Sequence, residues 1–285
     1  MIILHHNDLD GRCAAAIAYR QLKKYNYNNE QIKLFEMDYE TTFPIDKIIK
    51  NEKVYVLDFC LEDDEINKKL LDITKNIVWI DHHATSLDKK DIQDLDGIRN
   101  VSKAACVLTW EFFNKKDRAP DAVEYIGDMD AWLWLSREVS EPFCAAVIME
   151  PHKPKDEIWD RLIYGNATPD VSRLIKDGKV CIKFRKAISE EYMEKYGFET
   201  EFEGIKCFAC GFFSFGSIPF GDKMKKYDMC ISFEYNGEKF LYGLYSENKV
   251  DCSKIAEKHG GGGHKGASGF SEKELILKKG DKNER

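Results

Sequence analysis

Short apolar runs alternate with amphipathic segments in the first part of the chain. Four of the runs have the length and composition of buried strands: residues 2–5, 33–37, 54–58 and 77–81. The segments between them have helical length and apolar spacing: residues 13–25, 44–50 and 63–75. This alternation predicts an α/β fold with a parallel, Rossmann-like sheet and helices on both of its faces.

The pattern then becomes helical. Residues 104–114 and 121–135 predict packed helices rich in Trp and Phe, and residues 170–196 predict a long helix with an interruption near Gly178 as an open alternative. After Gly197 three strand-like runs follow: residues 205–211, 229–235 and 239–245, the last two joined by an Asn236-Gly237 hairpin turn. A short helix over residues 252–258 precedes a glycine-rich loop, and the charged tail after Phe270 is expected to fray.

These changes of pattern predict two domains and a connector. Residues 1–168 would form a first α/β domain, residues 169–197 a helical linker, and residues 198–285 a smaller α/β domain with a mixed sheet.

Metal-ligand side chains follow the predicted strands. They are His6-Asn7-Asp8-Leu9-Asp10-Gly11 after the first, Asp58 at the end of the third and Asp81-His82-His83 at the end of the fourth, with Asp128-Met129-Asp130 in a later helix. Each cluster alone is also typical of turns, helix caps or solvated surfaces. Parallel strands, however, bring their carboxyl ends to one edge of the sheet, where ligands bind. Together the clusters offer enough ligands for two divalent cations, and mixed carboxylate and imidazole ligation favours Mn²⁺, with Mg²⁺ or Co²⁺ as alternatives.

Charge and composition narrow the function classes. The 43 Lys and Arg against 50 Asp and Glu give a net charge of −7, which argues against binding to long duplex DNA. No apolar run is long enough for a membrane helix, and the N-terminus does not resemble a signal peptide. The nine cysteines are scattered and odd in number, which predicts reduced thiols and a cytoplasmic protein without membrane contact. Cys207-Phe-Ala-Cys210 is interpreted as part of an apolar strand.

The ordered motifs resemble those of the DHH phosphoesterase superfamily. H-x-D-x-D-G, a strand-ending Asp, D-H-H and a helical Asp occur in family order, and residues 260–270 look like the GGGH…GF loop of the DHH-associated C-terminal domain. The superfamily includes RecJ-type exonucleases, nanoRNases, cyclic-dinucleotide phosphodiesterases and family II pyrophosphatases. Because the two signatures lie far apart, the resemblance spans nearly the whole chain.

The resemblance implies that the domain of residues 1–168 is catalytic and that the domain of residues 198–285 binds substrate. It also implies roles for individual residues. One metal would be held by His6, Asp8 and Asp58. The second would be held by Asp10, Asp58, His82 and Asp128. His83 would contact the scissile phosphate, with Asp81 as the second catalytic residue. His5 is an alternative to His6, although side chains alternate along a strand and both are not expected to be ligands. Asp130 is an alternative to Asp128, and the family pattern favours Asp128.

The glycine-rich loop is predicted to bind phosphate. Glycines let backbone N–H groups approach an anion closely, and His and Lys add donors. The residues assigned to this role are Gly261, Gly262, Gly263, His264 and Lys265, with Arg12 as a further candidate. The chain departs from many relatives at Tyr245, where they carry an arginine that grips a terminal phosphate. Tyr245 is left open between stacking on a base and packing in the core.

These features predict a nanoRNase-like phosphodiesterase that hydrolyses short single-stranded oligonucleotides or dinucleotides to mononucleotides. Cyclic-dinucleotide or cyclic-oligonucleotide hydrolysis and removal of phosphate from 3′-phosphoadenosine 5′-phosphate use the same core and stay as alternatives. A catalytically silent nucleotide sensor is the non-enzymatic alternative. A homodimer is compatible with the sequence, which leaves substrate length, sugar and cleavage polarity open.

Overall fold

The first part of the chain is built on a parallel sheet. A computed structural model of the protein describes residues 1–25, 27, 30–38, 41–60, 63–115, 117–211, 216–247 and 249–279. Met1–Ile182 form one compact unit. Its strands are β1 Ile2–His6, β2 Lys33–Met37, β3 Val54–Leu57 and β4 Ile77–Ile80. They lie in the order β2-β1-β3-β4, and every neighbouring pair is parallel.

Six α-helices among the described residues lie entirely within this unit. They are α1 Leu9–Lys24, α2 Asp64–Ile73, α3 Ala84–Asp88, α4 Ala105–Asn114, α5 Asp121–Asp130 and α6 Arg137–Val147. Side chains alternate along each strand, so Ile3 and Ile80 belong to one apolar core while Leu4 and Trp79 belong to another. The first core includes α1, α4, α5 and α6, and the second includes Leu70 of α2. The predicted α/β fold with helices on both faces is confirmed.

The second unit, Lys183–Arg285, contains a mixed sheet. Helix α7, Ala167–Tyr196, crosses the boundary between the units. The strands that follow are β5 Phe198–Phe202, β6 Ile205–Cys210, β7 Met229–Tyr235, β8 Phe240–Tyr245, β9 Gly262–His264 and β10 Ala267–Glu272, with short helices α8 Lys223–Lys226 and α9 Cys252–Lys258. The order is β5-β6-β7-β8-β10-β9, with β6 and β7 parallel and the other pairs antiparallel. The predicted mixed sheet is confirmed. The bounds of the predicted domains and linker stay a prediction.

Several predicted elements differ from the structure. Only Ile45–Lys47 of the predicted helix 44–50 is helical, as one 3₁₀ turn. A helix there would place Ile45 and Ile49 on the same face, but Ile49 is 69% exposed. The glycine-rich loop is a β-hairpin formed by β9 and β10. The predicted fraying after Phe270 is wrong as far as residue 278, because Leu277 is buried and Thr200 Oγ1 donates a hydrogen bond to the Lys278 carbonyl 2.6 Å away.

The side chains of β6 and β8 are mainly structural. Cys207 and Cys210 lie buried in β6, and burial raises their pKa values to about 12 and about 11, which keeps both thiols protonated at neutral pH. The half-buried Tyr245 packs on a core cluster that includes Phe220, whose ring centroid lies 6.0 Å away. These contacts favour the core interpretation of Tyr245.

Gly178 allows α7 to pack closely against α6. The helix runs through Gly178 without a break. A Cβ atom at this position would lie 1.7 Å from the carbonyl oxygen of Pro142 in α6. Since no side chain fits between these backbones, the glycine serves close helix packing and not a helix end.

Gly178→Ala is therefore expected to destabilise the protein. Helix propensity alone would favour alanine by about 1 kcal/mol, but the clash with α6 is expected to reverse the sign and lower the free energy of unfolding by about 1–3 kcal/mol. Urea denaturation followed by circular dichroism measures the change. Lys179→Ala, at the exposed neighbouring position, is the control and should change it by less than about 0.5 kcal/mol. A Gly178→Ala protein as stable as the wild type would contradict the packing role.

Candidate metal centre

Acidic and histidine side chains converge at the carboxyl ends of β1, β3 and β4. His6 is the last residue of β1, Asp58 follows β3 and Asp81 follows β4. Asp8 is the N-cap of α1, where its Oδ1 accepts a hydrogen bond from Gly11 N at 2.9 Å. The turn from β1 into α1 is tight, because a Cβ at Gly11 would lie 2.5 Å from the His6 carbonyl oxygen. Within the motif H-x-D-x-D-G, Asp8 caps the helix and Gly11 allows the strand to turn directly into it.

Two groups of potential ligands share Asp58. His6, Asp8 and Asp58 form the first, and Asp10, Asp58 and His82 form the second; in each group the ligand atoms lie within 4.8 Å of one another. In the first, His6 Nδ1 is 2.8 Å from Asp8 Oδ2 and 3.7 Å from Asp58 Oδ2. In the second, His82 Nε2 is 3.2 Å from Asp58 Oδ1 and 4.0 Å from Asp10 Oδ2. These two groups contain five of the six predicted metal ligands and bring them into one cluster.

Asp58, which both ligand groups share, is buried in an unusual environment. Its side chain is 1% exposed, and neither carboxylate oxygen accepts a hydrogen bond from any described residue. Its backbone is in the left-handed region, with φ of 57°, a conformation that is uncommon for residues other than glycine. A buried carboxylate without donors is costly, and a bound cation is the usual compensation. The residue types and their geometry therefore fit divalent metal ions.

The carboxylates of the site repel one another and attract protons. Burial, and after it the charges of neighbouring carboxylates, raises the pKa values of Asp58 and Asp130. Although burial disfavours a charged imidazole, the carboxylates of Asp58 and Asp8 raise the pKa of His6 to about 11. Bound protons thus neutralise the negative charge of the carboxylates, as metal cations would.

Asp10 is held by the beginning of α4. Its side chain is 1% exposed, and its two oxygens accept hydrogen bonds from Ala105 N at 2.7 Å and Cys106 N at 2.9 Å. These are the first N–H groups of the helix, which favour a negative charge. The sequence gives no sign of this contact, since 95 residues separate Asp10 from Ala105.

Asp81 lies behind His83. It is fully buried, and its Oδ1 accepts from His82 N at 2.8 Å and from His83 Nδ1 at 2.7 Å. Ser86 Oγ donates to the other oxygen. Burial opposes ionisation, but the His83 contact outweighs it and lowers the pKa of Asp81, while Asp81 raises the pKa of His83. Potential ligand atoms of Asp58, Asp81 and His83 also lie within 4.8 Å of one another, but these hydrogen bonds favour a positioning role for Asp81.

Asp130, and not Asp128, extends toward the cluster. Asp130 Oδ2 lies 3.2 Å from His82 Nε2. The Asp128 carboxylate instead accepts hydrogen bonds from Leu135 N at 2.7 Å, Ser136 N at 3.2 Å and Ser140 Oγ at 2.6 Å. The contacts therefore favour Asp130 over Asp128 as a ligand, and the choice between them stays a prediction. The same bonds explain why the predicted helix 121–135 ends at Asp130.

His5 and Arg12 have other partners. His5 is 2% exposed, its Nδ1 lies 2.8 Å from the carbonyl oxygen of His6, and burial lowers its pKa. His5 belongs to none of the ligand groups, which supports His6 over His5. Arg12 Nε donates to Glu36 Oε1 at 2.6 Å, and its Nη1 donates to His152 Nε2 at 2.6 Å. Arg12 is thus held by two neighbours at the start of α1.

The glycine-rich segment belongs to the second unit. Gly262 and His264 lie in β9, while Gly263 has a φ of 134°, and a Cβ there would lie 2.8 Å from the Ala267 carbonyl oxygen. A Cβ at Gly261 would lie 2.1 Å from the Gly269 carbonyl oxygen. Close packing within the hairpin thus requires these glycines. The His264 and Lys265 side chains are exposed, and phosphate binding by this segment stays a prediction.

Comparison with known proteins matches part of the first unit to a family. Residues 1–130 match the DHH family, N-terminal domain. An uncharacterized protein of Acanthamoeba polyphaga mimivirus is 23% identical over 259 residues, which cover 86% of this chain. The chain spans 58% of the length of that relative.

Solved structures share the fold at low sequence identity. A DHH domain described as a member of a family of ribosomal proteins has a TM-score of 0.65 at 16% identity, over 94% of this chain and 81% of that one. An exopolyphosphatase-related protein from Bacteroides fragilis has a TM-score of 0.55 at 15% identity, over 96% and 87% of the two chains. RecJ from Thermus thermophilus in complex with Mn²⁺ has a TM-score of 0.51 at 12% identity, over 95% of this chain and 49% of that one. The family match over residues 1–130 confirms the resemblance to DHH proteins that the motifs predicted, and the solved structures show that the fold is shared.

Proposed function

We propose that the protein is a two-metal phosphodiesterase that hydrolyses short oligonucleotides or dinucleotides to mononucleotides. The observation that carries the proposal is Asp58, a buried carboxylate without a hydrogen-bond donor that is shared by two groups of metal-type ligands. Two ligand groups around one carboxylate are the arrangement that a two-metal hydrolase needs. The match of residues 1–130 to the DHH family supports hydrolysis of a phosphoester as the class of reaction.

The contacts support two ligand sets. His6, Asp8 and Asp58 would hold one cation. Asp10, Asp58, His82 and Asp130 would hold the other. Mixed carboxylate and imidazole ligation suits Mn²⁺, and the RecJ structure with the same fold carries Mn²⁺. Bound cations would lower the pKa of a coordinated water and offset negative charge on the phosphoryl oxygens.

His83 is the protein group proposed to assist departure of the leaving oxygen. Its Nδ1 contacts Asp81, so Nε2 is the ring nitrogen directed away from that carboxylate and able to donate a proton to substrate. Asp81 favours the protonated ring, because it raises the pKa of His83. Since Ser86 and the backbone hold Asp81 in turn, the orientation of His83 is fixed before substrate arrives.

The proposed activity predicts a specific substrate and metal dependence. With Mn²⁺ supplied, AMP should be released from the linear dinucleotide pApA faster than product is released from a cyclic dinucleotide, 3′-phosphoadenosine 5′-phosphate or pyrophosphate. EDTA should stop the reaction and Mn²⁺ should restore it, because the site consists of cation ligands. Side-by-side turnover assays measure this. Two bound metals without turnover of the four compounds would point to other substrates, and silence without bound metal would support a nucleotide sensor.

Asp130→Asn and Asp128→Asn should have different effects. Loss of the Asp130 charge next to His82 is expected to weaken the second site and to lower turnover at limiting Mn²⁺ by at least about 100-fold. Asp128→Asn is expected to keep two metals but to lower the free energy of unfolding by about 1–3 kcal/mol, because it disturbs buried hydrogen bonds. Metal content by mass spectrometry and urea denaturation separate the two. Two full sites in Asp130→Asn and one in Asp128→Asn would restore the original preference.

Replacement of Asp81 or His82 tests the roles proposed for the triplet Asp81-His82-His83. His82→Ala removes a proposed ligand, and Asp81→Ala removes the contact that orients His83, so both proteins should fold and lose turnover. The expected losses are at least about 100-fold for either variant. Circular dichroism checks folding, and metal content should fall in His82→Ala only. If both variants kept wild-type activity, the triplet would have no part in the reaction.

A further inference from the structure

An exposed apolar loop follows directly after α5. We define the tryptophan loop as residues 131–136, which connect α5 to α6. Within it Trp132 is 40% exposed, Leu133 45% and Leu135 81%, while Trp134 is half-buried. Large apolar side chains grouped on a surface commonly mark a binding site, and tryptophan is the residue type most often found there.

The backbone of the loop is strained at both tryptophans. Trp132 has a φ of 54° and Trp134 a φ of 53°, in the left-handed region that bulky residues rarely adopt. Such strain persists only where the surroundings hold it, and it is frequent at functional sites. Here the Asp128 carboxylate holds it, since it accepts hydrogen bonds from the Leu135 and Ser136 backbone. A buried aspartate therefore keeps two indole rings at the surface.

The two rings have a defined arrangement. Their centroids are 5.8 Å apart with an angle of 66° between the planes. The Arg137 guanidinium carbon lies 4.5 Å from the centroid of Trp134 and covers one face of that ring. Arg137 in turn pairs with Glu141, with Nε and Oε2 3.1 Å apart. Ordered aromatic planes of this kind bind a flat partner with a smaller entropy cost than flexible side chains do.

The loop begins beside the metal centre. Asp130 Oδ2 lies 3.2 Å from His82 Nε2, and Trp132 follows Asp130 by two residues. Two residues of chain span at most about 7 Å. The Trp132 backbone is thus close enough to Asp130 for a group that flanks a metal-bound phosphate to reach the loop.

We propose that Trp132 and Trp134 form a stacking surface for a nucleobase of the substrate, next to the scissile phosphate. The inference rests on the proposed function, and it adds a base-recognition element that the metal ligands cannot supply. Stacking on indole accepts every base because each has a π-face. The surface therefore favours nucleotide phosphodiesters over pyrophosphate without selecting a base sequence.

Trp132→Ala tests the contact. Stacking on one aromatic residue predicts a KM for pApA that rises by about 5- to 100-fold with kcat unchanged. Trp132→Phe should keep most of the affinity, since it keeps an aromatic plane. Leu135→Ala is the matched control, because it removes the most exposed apolar side chain of the loop without removing a ring. The base-free analogue of pApA, with hydrogen in place of both adenines, should be hydrolysed equally by Trp132→Ala and the wild type.

Binding gives a second measurement that does not depend on turnover. AMP should quench tryptophan fluorescence of the wild type more strongly than ribose 5-phosphate does, and this difference should vanish in Trp132→Phe/Trp134→Phe. If pApA is not hydrolysed but this difference is present, the proposed function fails while the base contact stands. The inference would be overturned if AMP and ribose 5-phosphate quenched equally, or if Trp132→Ala left the KM for pApA unchanged. It would also be overturned if Trp132→Ala lost as much activity on the base-free analogue as on pApA. So would dissociation of an oligomer in Trp132→Ala with no change in AMP binding, which would make the loop a protein interface.

Discussion

Burial of the Asp58 carboxylate without a protein donor is the constraint around which the first unit is arranged. A buried charge costs several kcal/mol unless it is paired or bound to a cation, and Asp58 also has a left-handed backbone. Two histidine nitrogens face its oxygens at 3.7 and 3.2 Å. Such crowding of acids and imidazoles is unfavourable for the protein alone and favourable around cations. The burial and backbone conformation of Asp58 thus destabilise the protein alone, and they create a site that favours cations.

Uncharged donors help to orient two other acids of the cluster. Asp10 accepts from the first N–H groups of α4, and Asp81 accepts from the His82 backbone and Ser86. Among the described residues, the ion pairs of Asp8, Asp10, Asp58 and Asp130 are with histidines and not with lysine or arginine. A lysine in the same place would compete with a cation for the carboxylates. Backbone donors and hydroxyls fix the geometry and leave the negative charge in place for metal ions and for the charge changes of the reaction.

The sequence predicts the sheet and the strand ends well, because both depend on local signals. Apolar runs such as residues 54–57 are too short for buried helices, and the acids that follow them stop the strands where the sheet ends. The path of residues 44–50 and the end of α5 depend on tertiary contacts instead. Asp128 draws the Leu135 and Ser136 N–H groups onto its carboxylate and ends the helix early. Helical periodicity continues past this point in the sequence, so the pattern alone places the tryptophan loop within a helix.

The choice between Asp128 and Asp130 has a geometric origin. Successive residues of a helix are rotated by about 100°, so two acids in D-x-D point about 200° apart and only one of them can face His82. The other faces the opposite way, where it holds the backbone of the tryptophan loop. The two acids are joined by a single turn of α5, which packs in the core. Because α5 packs in the core, it holds Asp130 and the start of the tryptophan loop at a fixed separation. The proposed contact with the base and the proposed contact with the phosphate would therefore both be positioned by the same turn of helix, so that one rigid element sets the spacing between them.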